Sequence, residues 1–131
     1  GQLKVLDKRV EKKRYIYDFY KRELGKLKGL TFMPIDVNSR CNCWLTAIQL
    51  NGEVRPIEVM ETLEKNNIDS RPVWKPMHLQ PFFEKYDFIW NRKGTSVSQT
   101  LFENGVCLPS DTKMSDVDLE RVVRLIKRLW D

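Results

Sequence analysis

The sequence predicts an α+β domain, a small and mostly antiparallel sheet covered by helices. Three observations carry that prediction. Apolar residues recur at helical spacing near both ends of the chain. Residues 43–50 form a run rich in aromatic and β-branched side chains. Proline, glycine and asparagine cut the middle into segments of strand length.

In chain order the elements follow. Residues 3–24 read as a long helix, because Leu3, Leu6, Val10, Tyr17, Tyr20 and Leu24 fall three, four or seven apart, and Gly25 is placed to end it. That stripe holds more apolar surface than one small sheet needs, so an exposed, self-associating face is expected along it. Residues 30–33 form a short strand closed by Pro34, and Asp36 to Arg40 has turn chemistry. The strand 43–50 follows and breaks at Asn51-Gly52. Pro56 then suits a helix first turn, with Ile57, Met60 and Leu63 as its buried face and Asn66-Asn67 as its stop. Residues 68–74 return as a strand, and 82–90 read as a helical turn followed by irregular chain. Ser96 with Gln99 opens a short helix that Gly105 ends, and 106–108 make a small strand before Pro109. Ser115 with Asp118 opens the last helix, 115–130. Its stripe is Leu119, Val122, Val123, Ile126, Leu129 and Trp130.

The totals bound the function. At 131 residues, 41% hydrophobic and 31% charged, the chain is expected to be one globular domain. No run has the length of a transmembrane helix, and no apolar leader opens the chain, so no membrane partner is expected. The net charge of +5 gathers on the first helix, but acids are interspersed there, and a solvated face explains it. A stand-alone basic module for nucleic acid or another acidic partner is the alternative reading. Three cysteines and one histidine make a poor zinc set, and reduced thiols fit a cytoplasmic setting. Phosphate loops, dinucleotide glycine fingerprints and nucleophile elbows are all missing, and no catalytic residue is expected in this chain.

One stretch stands apart: Ser-Arg-Pro-Val-Trp-Lys-Pro-Met-His-Leu-Gln-Pro, residues 70–81. Prolines stiffen its backbone, so Arg71, Trp74, Lys75 and His78 project from a pre-ordered frame. An aromatic plane stacks on a base, and a cation holds phosphate or carboxylate. The competing reading has Trp74 and Met77 plugging the core and His78 merely holding a loop.

The segment 71–81 closely resembles a signature of the DegT/DnrJ/EryC1/StrS family of pyridoxal phosphate-dependent sugar aminotransferases. Asn42-Cys43-Trp44-Leu45-Thr46 resembles the family's Asn-x-Trp-Leu strand. Residues 101–110 resemble its Gly-x-x-Leu-Pro-Ser element. The resemblance implies the C-terminal domain of a fold type I aminotransferase, excised from its large domain, with the helix 3–24 leading into it. It implies a full-length homodimer using pyridoxal phosphate and glutamate to convert a 4-keto nucleotide sugar, UDP-linked, to the 4-amino sugar, for bacterial glycan or bacillosamine-type synthesis. The cofactor lysine and phosphate cradle are expected in the large domain, so this chain should bind no cofactor and be inactive alone. Arg71, Trp74, Lys75 and His78 are the candidate substrate contacts, with Arg40 and Asn42 on the preceding loop. No metal site and no nucleic-acid partner belong to this reading.

Overall fold

Ser115 and Asp118 begin the most regular helix in the way their spacing demands. Each side chain meets the other's backbone amide, and α4 (Asp116–Lys127) runs from there. The computed structural model describes residues 1–90, 94 and 96–131. A single 3₁₀ turn, Gln2–Val5, precedes α1 (Leu6–Leu24). Then come β1 (Leu30–Phe32), β2 (Thr46–Leu50), α2 (Pro56–Glu64), β3 (Arg71–Pro72), α3 (Val97–Asn104) and β4 (Gly105–Leu108). The strands form one sheet in the order β1-β2-β4-β3, and every pairing is antiparallel.

The core lies on one face of this sheet. Ile48 and Leu50 of β2 and Val106 and Leu108 of β4 meet Ile16, Tyr20 and Leu24 of α1, Val59 and Leu63 of α2, and the α4 stripe. Helix α3 touches β2 and β4 but adds nothing to that cluster. It covers the other face, where Cys107 is also buried. Among the described residues, no helix is long and apolar enough to cross a membrane.

Four expectations need correction. Tyr17 and Tyr20 are buried within the domain's own fold, so the exposed part of the first helical stretch is its N-terminal end, at Leu3, Val5 and Leu6. The buried residues of α1, from Ile16 to Leu24, all lie in its C-terminal half. On α2 the buried residues are Val59 and Leu63, while Ile57 is exposed, because the helix lies on α4 rotated from the predicted face. The strand predicted at 43–50 starts at Thr46, since Cys43 takes a φ of 50° that no ladder tolerates. The strand predicted at 68–74 shrinks to Arg71–Pro72, and proline survives there because β3 is a sheet edge.

Long-range polar contacts fasten α1. The Tyr20 hydroxyl donates to the Pro109 carbonyl at 3.0 Å, and burial raises its pKa. Lys13 Nζ donates to the Ser110 carbonyl, and desolvation lowers its pKa. Lys127 meets Glu23 at 3.1 Å across the α1–α4 seam.

Carboxylates set the acid response. Asp118 is held below the usual carboxylate range, first by the Ser115 hydroxyl and then by its amide. Glu58 is lowered by the Arg55 amide and guanidinium, and Glu23 by Lys127 and Arg22. A folded pKa below the unfolded value, near ~4, means a contribution present above that value and lost as pH falls through the folded pKa. Thermal melting should therefore be level from neutral pH to about pH 5 and decline below it. Asp118→Asn should shallow that decline, and an unaltered acid limb would mean that Asp118 titrates normally.

Candidate functional site

The segment after β3 is rigid for a reason visible in the sequence. Pro72, Pro76 and Pro81 fix φ and remove three amides. The Met77–Leu79 and Pro81–Phe83 turns are short 3₁₀ pieces that pack on each other. Gln80 Nε2 reaches back to the Lys75 carbonyl at 3.2 Å and closes the loop. The start of the segment is held to β4, where the Val73 amide donates to the Gly105 carbonyl at 3.3 Å. Gly105 is required at that crossing, because an added Cβ would run into the Leu101 carbonyl and the Val73 side chain.

On this frame Trp74 does not plug the core. It is 63% exposed, and so is Trp44 from the loop before β2. The two indoles stack, with centroids 6.0 Å apart and planes 29° from parallel. Asn42 supports the pair from behind: its Oδ1 accepts the Trp44 amide at 3.1 Å, turning the chain outward. The result is an open aromatic platform built from segments thirty residues apart.

The other candidates are placed as follows. Arg71 sits on the sheet edge, exposed, with its Nε 3.1 Å from Asp69 Oδ2. Lys75 is exposed at the foot of the loop, directly after Trp74. His78 turns inward, stacking on Phe88 at 3.8 Å between centroids, with Nε2 3.4 Å from the Ser96 hydroxyl. Ser96 also accepts the Gln99 amide as the α3 cap, and its hydroxyl lies 3.2 Å from that of Ser98. In this arrangement His78 fastens the loop to α3. Arg40 lies elsewhere, beside a shallow cleft shared with Arg14, Tyr17 and the Cys41–Cys43 loop.

Geometry thus unites Trp74 with Asn42 through Trp44, and separates His78 and Arg40 from that pair. Trp44 was missed as a site residue, because strand propensity placed it inside β2. The available signal was the Asn two residues before it, a side chain that turns a chain out of a ladder. Nothing in the sequence marked Phe88 as the partner of His78.

The family model for the DegT/DnrJ/EryC1/StrS aminotransferases matches residues 1–127. EpsN of Bacillus subtilis (strain 168), assigned as a pyridoxal phosphate-dependent aminotransferase, is 40% identical over 130 residues, which is 99% of this chain and 34% of EpsN. GDP-perosamine synthase of Vibrio cholerae is 30% identical over 138 residues, covering all of this chain and 35% of that protein. A DegT DnrJ EryC1 StrS aminotransferase from Brucella abortus superposes with a TM-score of 0.81 at 20% identity, over 98% of this chain and 33% of that one. The chain spans about a third of the length of these relatives. With its fold shared and nearly every residue matched, this chain belongs to the DegT/DnrJ/EryC1/StrS aminotransferase family.

Proposed function

We propose that the chain is the C-terminal, substrate-side domain of a longer cytoplasmic aminotransferase that converts a 4-keto nucleotide sugar to the 4-amino sugar with glutamate as donor. The observation that carries this reading is the open Trp44–Trp74 platform. Two large apolar rings kept in water, on a proline-stiffened frame, have little to gain from folding alone. Their outward faces suit a nucleobase, while Arg71 and Lys75 supply charge for a diphosphate. His78 positions the loop from behind. The nucleotide is UDP in this proposal, although two relatives bear a GDP name. The product feeds a bacterial glycan or bacillosamine-type sugar, and the full-length enzyme is a homodimer.

Pyridoxal phosphate, when bound, supplies the electron sink for moving an amino group. Lys13, withdrawn from water, is already committed to the Ser110 carbonyl, and we assign the cofactor lysine and phosphate cradle to the remaining two-thirds of the enzyme.

Incubating the isolated chain with pyridoxal phosphate, followed by gel filtration, should leave no lysine-bound chromophore. The full-length enzyme should aminate a UDP-linked keto sugar in preference to its GDP and TDP counterparts. A stoichiometric chromophore on one lysine of this chain would defeat the domain assignment. Preference for another base would revise the nucleotide and leave the domain assignment standing.

A further inference from the structure

Cys41 and Cys43 stand one residue apart on the loop that leads into β2, and the sugar-side reading uses neither thiol. Both are free; Cys41 is half-buried and Cys43 only 3% exposed. The φ of 50° at Cys43 lies in the left-handed region that side chains with a Cβ avoid. It swings the Cys43 Cβ about its N–Cα bond, away from the direction a strand residue would take. The loop then closes on itself. The Cys43 amide donates to Cys41 Sγ at 3.3 Å, which draws the Cys41 sulfur back over the Cys43 backbone. From outside, Arg14 Nε donates to the Cys41 carbonyl at 2.8 Å and anchors the loop to α1. A cleft of about 310 Å³ opens on both cysteines, with Arg14, Ser39, Arg40 and Asp18 among its walls.

We propose that Cys41 and Cys43 form a dithiol site that reacts with small anionic disulfides, of the oxidised glutathione type, to give a Cys41–Cys43 disulfide. Cys41, the more accessible thiol, attacks as its thiolate. The external S–S bond breaks, a Cys41 mixed disulfide forms, and the first external thiol leaves and takes up the proton Cys41 lost. Cys43 then gives up its proton and attacks the Cys41 sulfur, and the second external thiol leaves with that proton. Two protein thiols are oxidised, one external disulfide is reduced to two thiols, and no other oxidant is needed. The order follows from burial. Desolvation, and then the Cys41 thiol beside it, push Cys43 up to about 11, so it waits as a thiol while Cys41 reacts first. Arg14 and Arg40 give the cleft positive charge for the carboxylates of the incoming disulfide, with Asp18 opposing them. Closing the disulfide fixes Asn42 between the two cysteines. Since Asn42 turns Trp44 outward, the redox state of the loop is coupled to the Trp44–Trp74 platform.

The test is thiol mapping. The folded chain is treated with oxidised glutathione at neutral pH, acid-quenched, alkylated and mapped by peptide mass spectrometry. The peptide carrying Cys41 and Cys43 should lose two hydrogens and resist alkylation, while Cys107 is alkylated. Cys43→Ser should stall with one glutathionyl group on Cys41, and Cys41→Ser should leave Cys43 unreacted. Circular dichroism verifies that both variants fold. A neutral disulfide such as hydroxyethyl disulfide should react severalfold more slowly, and Arg40→Ala should narrow that difference. A persistent mixed disulfide in the unsubstituted chain, a bond to Cys107, or no reaction at all would each overturn the proposal.

Discussion

Trp74→Ala in the full-length enzyme is expected to raise the KM for the keto-sugar nucleotide roughly five- to a hundredfold. Base–aromatic stacking contributes about 1–3 kcal/mol per base, and each ~1.4 kcal/mol is a factor of ten. The half-reaction with glutamate, which needs no nucleobase, should stay near its normal rate. Trp44→Ala should act in the same direction, and the double variant should fall short of the sum, because each indole packs on the other. Arg71→Ala should also raise KM, although its pairing with Asp69 holds part of its charge in the absence of substrate. Loss of packing is the competing explanation for a tryptophan effect. Both rings are 63% exposed, so the melting temperature of either variant should move little. Unchanged keto-sugar kinetics in folded variants would remove the platform from the binding site.

Leu119→Ala should have the largest effect on stability. Leu119 is fully buried on the first turn of α4, in the cluster where α1, α2 and the sheet converge. Deleting such a side chain costs about 2–5 kcal/mol, from lost transfer energy and from the cavity left behind. Domains of this size are stable by only about 5–15 kcal/mol, so the melting temperature should fall by roughly 10–20 °C. Val117→Ala is the control: Val117 lies on the same helix but is exposed, and its variant should melt almost unchanged. Equal shifts for the two would place the α4 stripe outside the core.

The elements that sequence reading located well are those whose signals are local. The capping pair Ser115–Asp118, the α4 stripe and the Ser96 cap each depend on neighbours within four residues, and each is in place. A period of 3.6 residues decides a helix face without reference to anything distant. The family signature was legible in the same way, as contiguous residues.

The errors share one cause. Ile57 and Val59 both fit an amphipathic α2, and only contact with α4 decides which is buried. Tyr17 and Tyr20 looked like surplus apolar surface until Phe32 of β1 and Pro109, just past β4, came to lie beside them. Sequence alone determined the α+β class, the order of elements, the starts of the last two helices and the kinship of the chain, since these rest on short-range periodicity, capping hydrogen bonds and contiguous motifs. Tertiary structure alone decided that His78 turns to Phe88 and Ser96, and that Trp44 meets Trp74. Trp44 and Trp74, thirty positions apart, carry no shared local signal. Their meeting is fixed by how β2, β3 and β4 pair, and by the proline-stiffened path between them.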